Sequence, residues 1–302
     1  QNFEILGEAI IHSPANLQIR NGDAAHAAIM DLIDLVYAQA GLDVSMTKET
    51  HACFGMAGAR LQSARDSFVK RGFPFANVKV VDDIDIARAG AHKGEDGAVL
   101  IIGTGSAGLG RIAGKRLQVG GWGFLVGDSM AGATLGRELL RRSLLAHEGL
   151  IEGSALTDHI MNQFDNLPEN LMSWSFENPD AIAEARELAQ QEKYGANGEH
   201  VTIGSLHARP GDYGKFVPVI FDYYEQDDAM ARQLIEFELS AIDQYVTWFL
   251  DRDIKSIAVV GGLGQRLLPM LQKIYPGVLV PPMADPLQGA LILAHQSKTV
   301  LG

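Results

Sequence analysis

Three aspartates crowd the point where an apolar run stops: Asp82, Asp83 and Asp85 follow the stretch 78–81. Strand ends of this kind are where α/β sheets bind ligands, and an ionised carboxylate placed there can take a proton from an attacking hydroxyl. The competing reading is structural, with one aspartate capping a helix over 84–91 and the others solvated. Neighbours in an extended segment point to opposite faces, so Asp82 and Asp83 cannot both look into one cleft. Asp85 falls in the first helical turn, where it favours the macrodipole.

Two glycine turns could hold phosphates. Gly103-Thr104-Gly105-Ser106-Ala107-Gly108 follows the apolar run 98–102 and matches G-x-G-x-x-G in spacing. The dinucleotide form of that motif must open a helix, yet Leu109-Gly110-Arg111-Ile112-Ala113-Gly114-Lys115 reads as a strand entering a tight turn. A glycine turn between two strands instead suits a hairpin clamp: backbone N–H groups approach phosphate oxygens and Thr104 and Ser106 add hydroxyls. An ordinary hairpin turn fits the same residues. Gly261-Gly262-Leu263-Gly264 follows the run 257–260 and precedes a helical pattern over 267–274, so it is either a second close backbone approach or a plain strand-to-helix turn.

Elements must carry these residues. Ile29, Leu32, Ile33, Val36 and Ala40 recur at helical spacing, with Gly41 as C-cap, and predict a helix over 23–40. Apolar runs at 51–54, 78–81 and 98–102 predict strands in α/β order. Residues 109–119 read as a hairpin, 128–148 as a helix capped by Gly149, and 226–252 as another. The runs 256–260 and 277–280 and a last helix over 287–297 restore the α/β pattern. Pro179, Gly195, Gly198 and Pro210 punctuate 165–215, the least regular stretch.

Composition sets the bounds. The 302 residues are 47% hydrophobic and 21% charged, with a formal charge of −12, which argues against a broad polyanion-binding surface, so no nucleic-acid partner is expected. Any phosphate contact must be local, and 33 glycines lean towards backbone donors. One cysteine, Cys53, forms no intramolecular disulfide and points to the cytoplasm. No run approaches a membrane-spanning length, so no membrane partner is expected.

Taken together, Val81-Asp82-Asp83 to Gly90-Ala91, Gly103-Thr104-Gly105-Ser106, and Gly120-Gly121-Trp122-Gly123 to Gly127-Asp128 resemble the N-acetylglucosamine and glucosamine kinases within the BadF/BadG-type ATPase family. Ser13-Pro14-Ala15-Asn16, Gly55-Met56-Ala57-Gly58-Ala59, Asp212-Tyr213-Gly214-Lys215-Phe216 and Asp285-Pro286-Leu287-Gln288-Gly289-Ala290 extend the resemblance over nearly the whole chain, most weakly at 165–210. The fold implied is α/β: the two-lobed actin-like ATPase (ribonuclease-H-like) fold with a cleft between lobes. One lobe is expected over 1–108, joined by a returning helix at 287–302, and the other, with the adenosine turn, over 109–286. In the family an opening strand and an aspartate-glycine-rich turn form a first phosphate loop and help hold Mg²⁺. Residues 2–11 are similar to the strand after that loop, so an amino-terminal hairpin is expected to be missing.

The resemblance implies ATP and Mg²⁺ as cofactors and transfer of the γ-phosphate to the 6-hydroxyl of glucosamine or N-acetylglucosamine. Asp83 would be the catalytic base. Gly103, Thr104, Gly105 and Ser106 would form the second phosphate loop, and Gly261, Gly262 and Gly264 the adenosine turn. Asn16, Asp83, Gly121, Trp122 and Asp128 would meet the sugar, although a tryptophan is more often a core aromatic; no metal ligand can be named. The segment at 212–216 tilts the acceptor towards free glucosamine, and the family implies homodimerisation. Two alternatives remain. An activator ATPase sharing a four-thiolate cluster between subunits needs two cysteines per chain, and Cys53 stands alone. A non-catalytic sugar or nucleotide sensor is the other, although neither a basic patch nor an extra helical module is present. The nine histidines show no metal-ligand spacing for a hydrolase.

Overall fold

The computed structural model describes residues 4–13, 16–17, 22–176 and 207–299. Residues 4–11 join no sheet, Glu8 N–H donating instead to Gln39 Oε1 at 2.9 Å, so the strand expected over 2–11 is absent from its described part. Helix α1, Asp23–Ala40, buries Ile33 and Tyr37 and ends at Gly41, whose φ of 66° supplies the left-handed C-cap that glycine adopts without Cβ strain.

Two parallel strands follow, β1 (His51–Met56) and β2 (Asn77–Asp82), joined through α2 (Gln62–Val69) and in register from His51 opposite Asn77 to Met56 opposite Asp82. Phe68, Met56 and Val80 form their small core. β2 runs directly into α3, Asp83–Ala91.

The second sheet has the order β5-β4-β3-β6-β7. Its members are β3 (Gly97–Ile102), β4 (Ser106–Ile112), β5 (Lys115–Gly120), β6 (Ile257–Val260) and β7 (Leu279–Val280). β3, β4 and β5 form an antiparallel meander, whereas β3 pairs in parallel with β6, and β6 with β7. A boundary after Gly108 would cut β4 in two. Hydrogen bonding instead gathers β3 with β4–β7, because β3, buried nearly throughout, needs apolar partners on both edges.

Helices α4 (Gly132–His147), α5 (Ala155–Asn162), α6 (Pro168–Phe176), α7 (Pro210–Gly214), α8 (Val217–Glu225) and α9 (Ala229–Leu250) carry the chain between β5 and β6. Leu135, Leu139, Ile160, Ile220, Leu234, Ile242 and Phe249 join Leu100 and Ile102 in the main core. The helix expected from 128 begins at Gly132, because Asp128 takes a left-handed φ of 53° and turns the chain first. Pro179, Gly195 and Gly198 lie outside the described residues.

α10 (Gly262–Ile274) leaves β6, and α11 (Pro286–Thr299) returns to pack on α3. Their crossing is close: a Cβ at Gly90 would collide with the Asp285 carbonyl, and one at Gly289 with the Ile86 carbonyl. Glycine at both positions lets two helix backbones touch. Among the described residues no helix is long and apolar enough to cross a membrane.

Candidate active site

The two glycine turns leave the carboxyl ends of neighbouring parallel strands, since Ile101 of β3 lies opposite Val260 of β6. They are therefore adjacent. Gly261, at φ 96°, packs so closely that its Cβ would meet the Ile102 carbonyl. Gly103 and Thr104 join Gly262, Leu263, Lys215 and Arg266 in lining one cavity of about 440 Å³, a volume suited to a small ligand.

The first turn is pinned from behind. Gly103 donates its N–H to the Gly105 carbonyl at 3.0 Å, closing the hairpin. At the start of α4, the N–H of Gly132 donates to the Gly103 carbonyl at 2.8 Å and that of Ala133 to the Thr104 carbonyl at 3.3 Å. Thr104 is exposed at the tip, whereas the Ser106 hydroxyl is buried and meets no partner among the described residues. An orphaned buried hydroxyl costs free energy, so it marks a place where a ligand oxygen would be favoured.

Asp128 sits beneath this turn rather than out in a cleft. Its Oδ2 lies 3.2 Å from where a Gly105 Cβ would stand, so a side chain there would press on the carboxylate. Burial raises its pKa above the usual carboxylate range, opposed by hydrogen bonds from the backbone N–H groups of Gly123 and Ser106. The Asp128 carbonyl also accepts from Ala131 N–H at 3.0 Å and from Thr134 Oγ1 at 2.9 Å, which fixes the residue's turn.

At the end of β2 the neighbouring aspartates diverge as alternation requires. Asp82 is buried, and burial, reinforced by the charges of Asp83 and Asp85, pushes its pKa up to about 6. Asp83 is exposed at the first position of α3, its Oδ1 accepting from Ile84 N–H at 2.8 Å. Ile84 packs with Val99, Leu109 and Val260, which seats this end of α3 on the second sheet. Asp85 is neutralised by Arg116, whose Nε and Nη2 donate to its two oxygens at 2.8 and 3.0 Å.

Trp122 is 67% exposed and so is not a core aromatic. The Arg60 guanidinium lies 3.5 Å above its ring and donates to the carbonyls of Gly120 and Gly121 at 2.8 and 2.6 Å. Arg60, from the turn after β1, thus ties the first sheet's unit to the segment after β5. Asn16 is half-buried, and Leu17 N–H donates to the Ala57 carbonyl at 2.9 Å, anchoring that segment on the same turn.

The structure adds Arg60, Lys215 and Arg266 to the residues expected from sequence. Arg266 lies one turn beyond Gly262 on the same helical face and stacks over Phe221 at 4.2 Å, a spacing readable in advance. Lys215 lies in the stretch that periodicity left unorganised; its Nζ donates to Asp212 Oδ1 at 3.0 Å.

A two-stranded parallel sheet and a five-stranded mixed sheet, the latter with its glycine turns side by side, are arranged as in the actin-like ATPase fold. An N-acetylglucosamine kinase of Chromobacterium violaceum, so described provisionally, shares it at a TM-score of 0.70 and 23% identity, covering 93% of this chain and 87% of that one. The chain belongs to the BadF/BadG/BcrA/BcrD ATPase family, whose pattern matches residues 1–294. A glucosamine kinase of Vibrio cholerae is 29% identical over 97% of this chain and 89% of its own length. An N-acetylmuramic acid/N-acetylglucosamine kinase of Clostridium acetobutylicum is 26% identical over 53% of each.

Proposed function

We propose that this chain is an ATP-dependent kinase transferring the γ-phosphate to the 6-hydroxyl of an amino sugar, with free glucosamine as the preferred acceptor. The observation that carries the reading is the single cavity shared by the turns at Gly103 and Gly262. Phosphoryl transfer requires positioning and charge stabilisation more than covalent chemistry. In the turn at 103–106 the backbone N–H groups of Thr104 and Gly105, with the Thr104 and Ser106 hydroxyls, would hold phosphate oxygens. Lys215 and Arg266 would add positive charge from the facing helices, and the adenosine would lie along Gly261, Gly262 and Gly264.

Asp83 is the group assigned to take the 6-hydroxyl proton. It is the exposed member of its pair and carries no ion pair among the described residues, whereas Asp85 is committed to Arg116. Asn16, Gly121, Trp122 and Asp128 are assigned to the sugar, with Arg60 holding the Gly121 and Trp122 backbone in place. Mg²⁺ would neutralise charge on the phosphates. Such an ion needs only one or two protein carboxylates. The preference for glucosamine rests on the similarity at 212–216 and on the named activity of the Vibrio cholerae relative.

Calorimetry with a non-hydrolysable ATP analogue, against wild type and the Lys215→Ala/Arg266→Ala pair, tests the nucleotide assignment. Binding weakened by about tenfold or more supports it; unchanged affinity overturns it.

A further inference from the structure

A second cavity, also of about 440 Å³, opens where β2, α3 and α11 face the β4–β5 hairpin. Six cations line it: Arg60, Arg65, Lys79, Arg88, Arg111 and Arg116. The lining holds one carboxylate, Asp85, in a chain whose formal charge is −12. Among the described residues Arg116 alone of the six has an ion pair, and that pair consumes Asp85. Nearby Asp96 spends one oxygen on Ala113 N–H at 2.7 Å.

Arg88 is the most telling member. It is only 4% exposed, and its Nη1 donates to the Glu95 carbonyl at 2.6 Å, a neutral partner. Arg111 donates likewise to the Gly94 carbonyl at 3.1 Å, and the two like charges repel each other. Buried guanidinium groups ordinarily sit against carboxylates or phosphates, because desolvated charge needs an opposite charge. Here Asp85 and Asp96 act on Arg88 only at a distance, Asp85 being paired with Arg116 and Asp96 bonded to Ala113 N–H, so one wall carboxylate faces six cations.

We propose that this cavity is a second ligand site taking a small phosphorylated molecule. Guanidinium forks match phosphate oxygens in geometry and charge, and the concave shape and volume suit a metabolite rather than a polymer. Val81 and Leu293 give the cavity an apolar wall, so the ligand carries a carbon body as well as its phosphate. The site is separate from the nucleotide cavity. The two share no lining residue, and they lie at opposite ends of β4, one at the Gly103 turn and the other reaching the Gly114 turn. Because its walls come from both sheets' units, a bound phosphate bridges them.

Titration calorimetry with glycerol 3-phosphate, and with inorganic phosphate alongside, tests the proposal. Lys79 and Arg111 are half-exposed, so Lys79→Gln/Arg111→Gln should fold as wild type does, with the thermal midpoint as the check. We expect the pair to weaken glycerol 3-phosphate binding by about tenfold or more, while Lys215→Ala/Arg266→Ala changes it by less than about twofold. Inorganic phosphate should bind several-fold more weakly, since it lacks the carbon body. If the double variant unfolds, Lys79→Gln alone should still cost about threefold. Absence of binding to wild type at millimolar glycerol 3-phosphate, or a loss confined to Lys215→Ala/Arg266→Ala, overturns the site. Equal affinity for the two probes overturns its apolar part. None of these residues except Arg60 belongs to the kinase site, so a failed kinase assay leaves the proposal standing.

Discussion

Glu238 offers a prediction whose size follows from its surroundings. It lies within α9, fully buried among Leu234, Ile235, Ala241 and Ile242, and neither carboxyl oxygen meets a hydrogen-bond partner among the described residues. Burial pushes its pKa up to about 8 from an ordinary 4.5. The folded chain therefore keeps this proton where the unfolded chain has released it. Stability falls as pH rises through that window, from the unfolded pKa to the folded one, by about 1.4 kcal/mol per unit. At pH 7.5 the cost is on the order of 3–4 kcal/mol. Glu238→Leu keeps similar volume without the ionisable group. Its stability should match wild type within about 1 kcal/mol at pH 5 and exceed it by about 3 kcal/mol at pH 7.5, a gain of about 5 °C in midpoint for a chain of this length. Urea unfolding of both proteins from pH 5 to 8 measures it. Parallel stability curves across that range would refute the reasoning.

Three further outcomes are expected. Asp83→Asn should lower kcat by roughly 10²–10⁴ with a much smaller effect on sugar affinity, while Asp82→Asn stays within a few-fold; steady-state kinetics of both variants decide which aspartate is the base. Gly289→Ala should destabilise by about 1–3 kcal/mol, because its Cβ enters the space of the Ile86 carbonyl, and chemical denaturation would show no change if the α3–α11 crossing were looser. Arg60→Ala should raise the sugar KM more than it lowers kcat, since it frees the carbonyls of Gly120 and Gly121 and uncovers Trp122; an unaltered KM would mean the clamp does not shape the sugar pocket.

Local signals carried most of the elements. α1 and its Gly41 cap were written in apolar spacing and a glycine, and the β4–β5 hairpin in Ala113-Gly114. The true context of G-x-G-x-x-G was also legible, because residues 109–112 alternate as a strand should. The partnership of β3 was not, since its pairing with β6 joins segments more than 150 residues apart and leaves no local mark. Asp128 illustrates the same limit: its residue type suggested a hydroxyl ligand, yet its burial beneath Gly105 depends on the fold of two distant turns. Arg60 escaped notice because an arginine after a glycine-rich turn is ordinary until its three contacts are seen in space. The cations of the second cavity, likewise, are scattered from residue 60 to residue 116 and average out in an acidic composition.

The kinase assignment is tested most directly by incubating the chain with Mg²⁺, ATP and glucosamine, then following both nucleotide and sugar by phosphorus NMR. The account expects one glucosamine 6-phosphate formed for each ADP released, and loss of that product in Asp83→Asn. ADP and inorganic phosphate without any phosphorylated sugar, or phosphate found only on acceptors other than amino sugars, would contradict it.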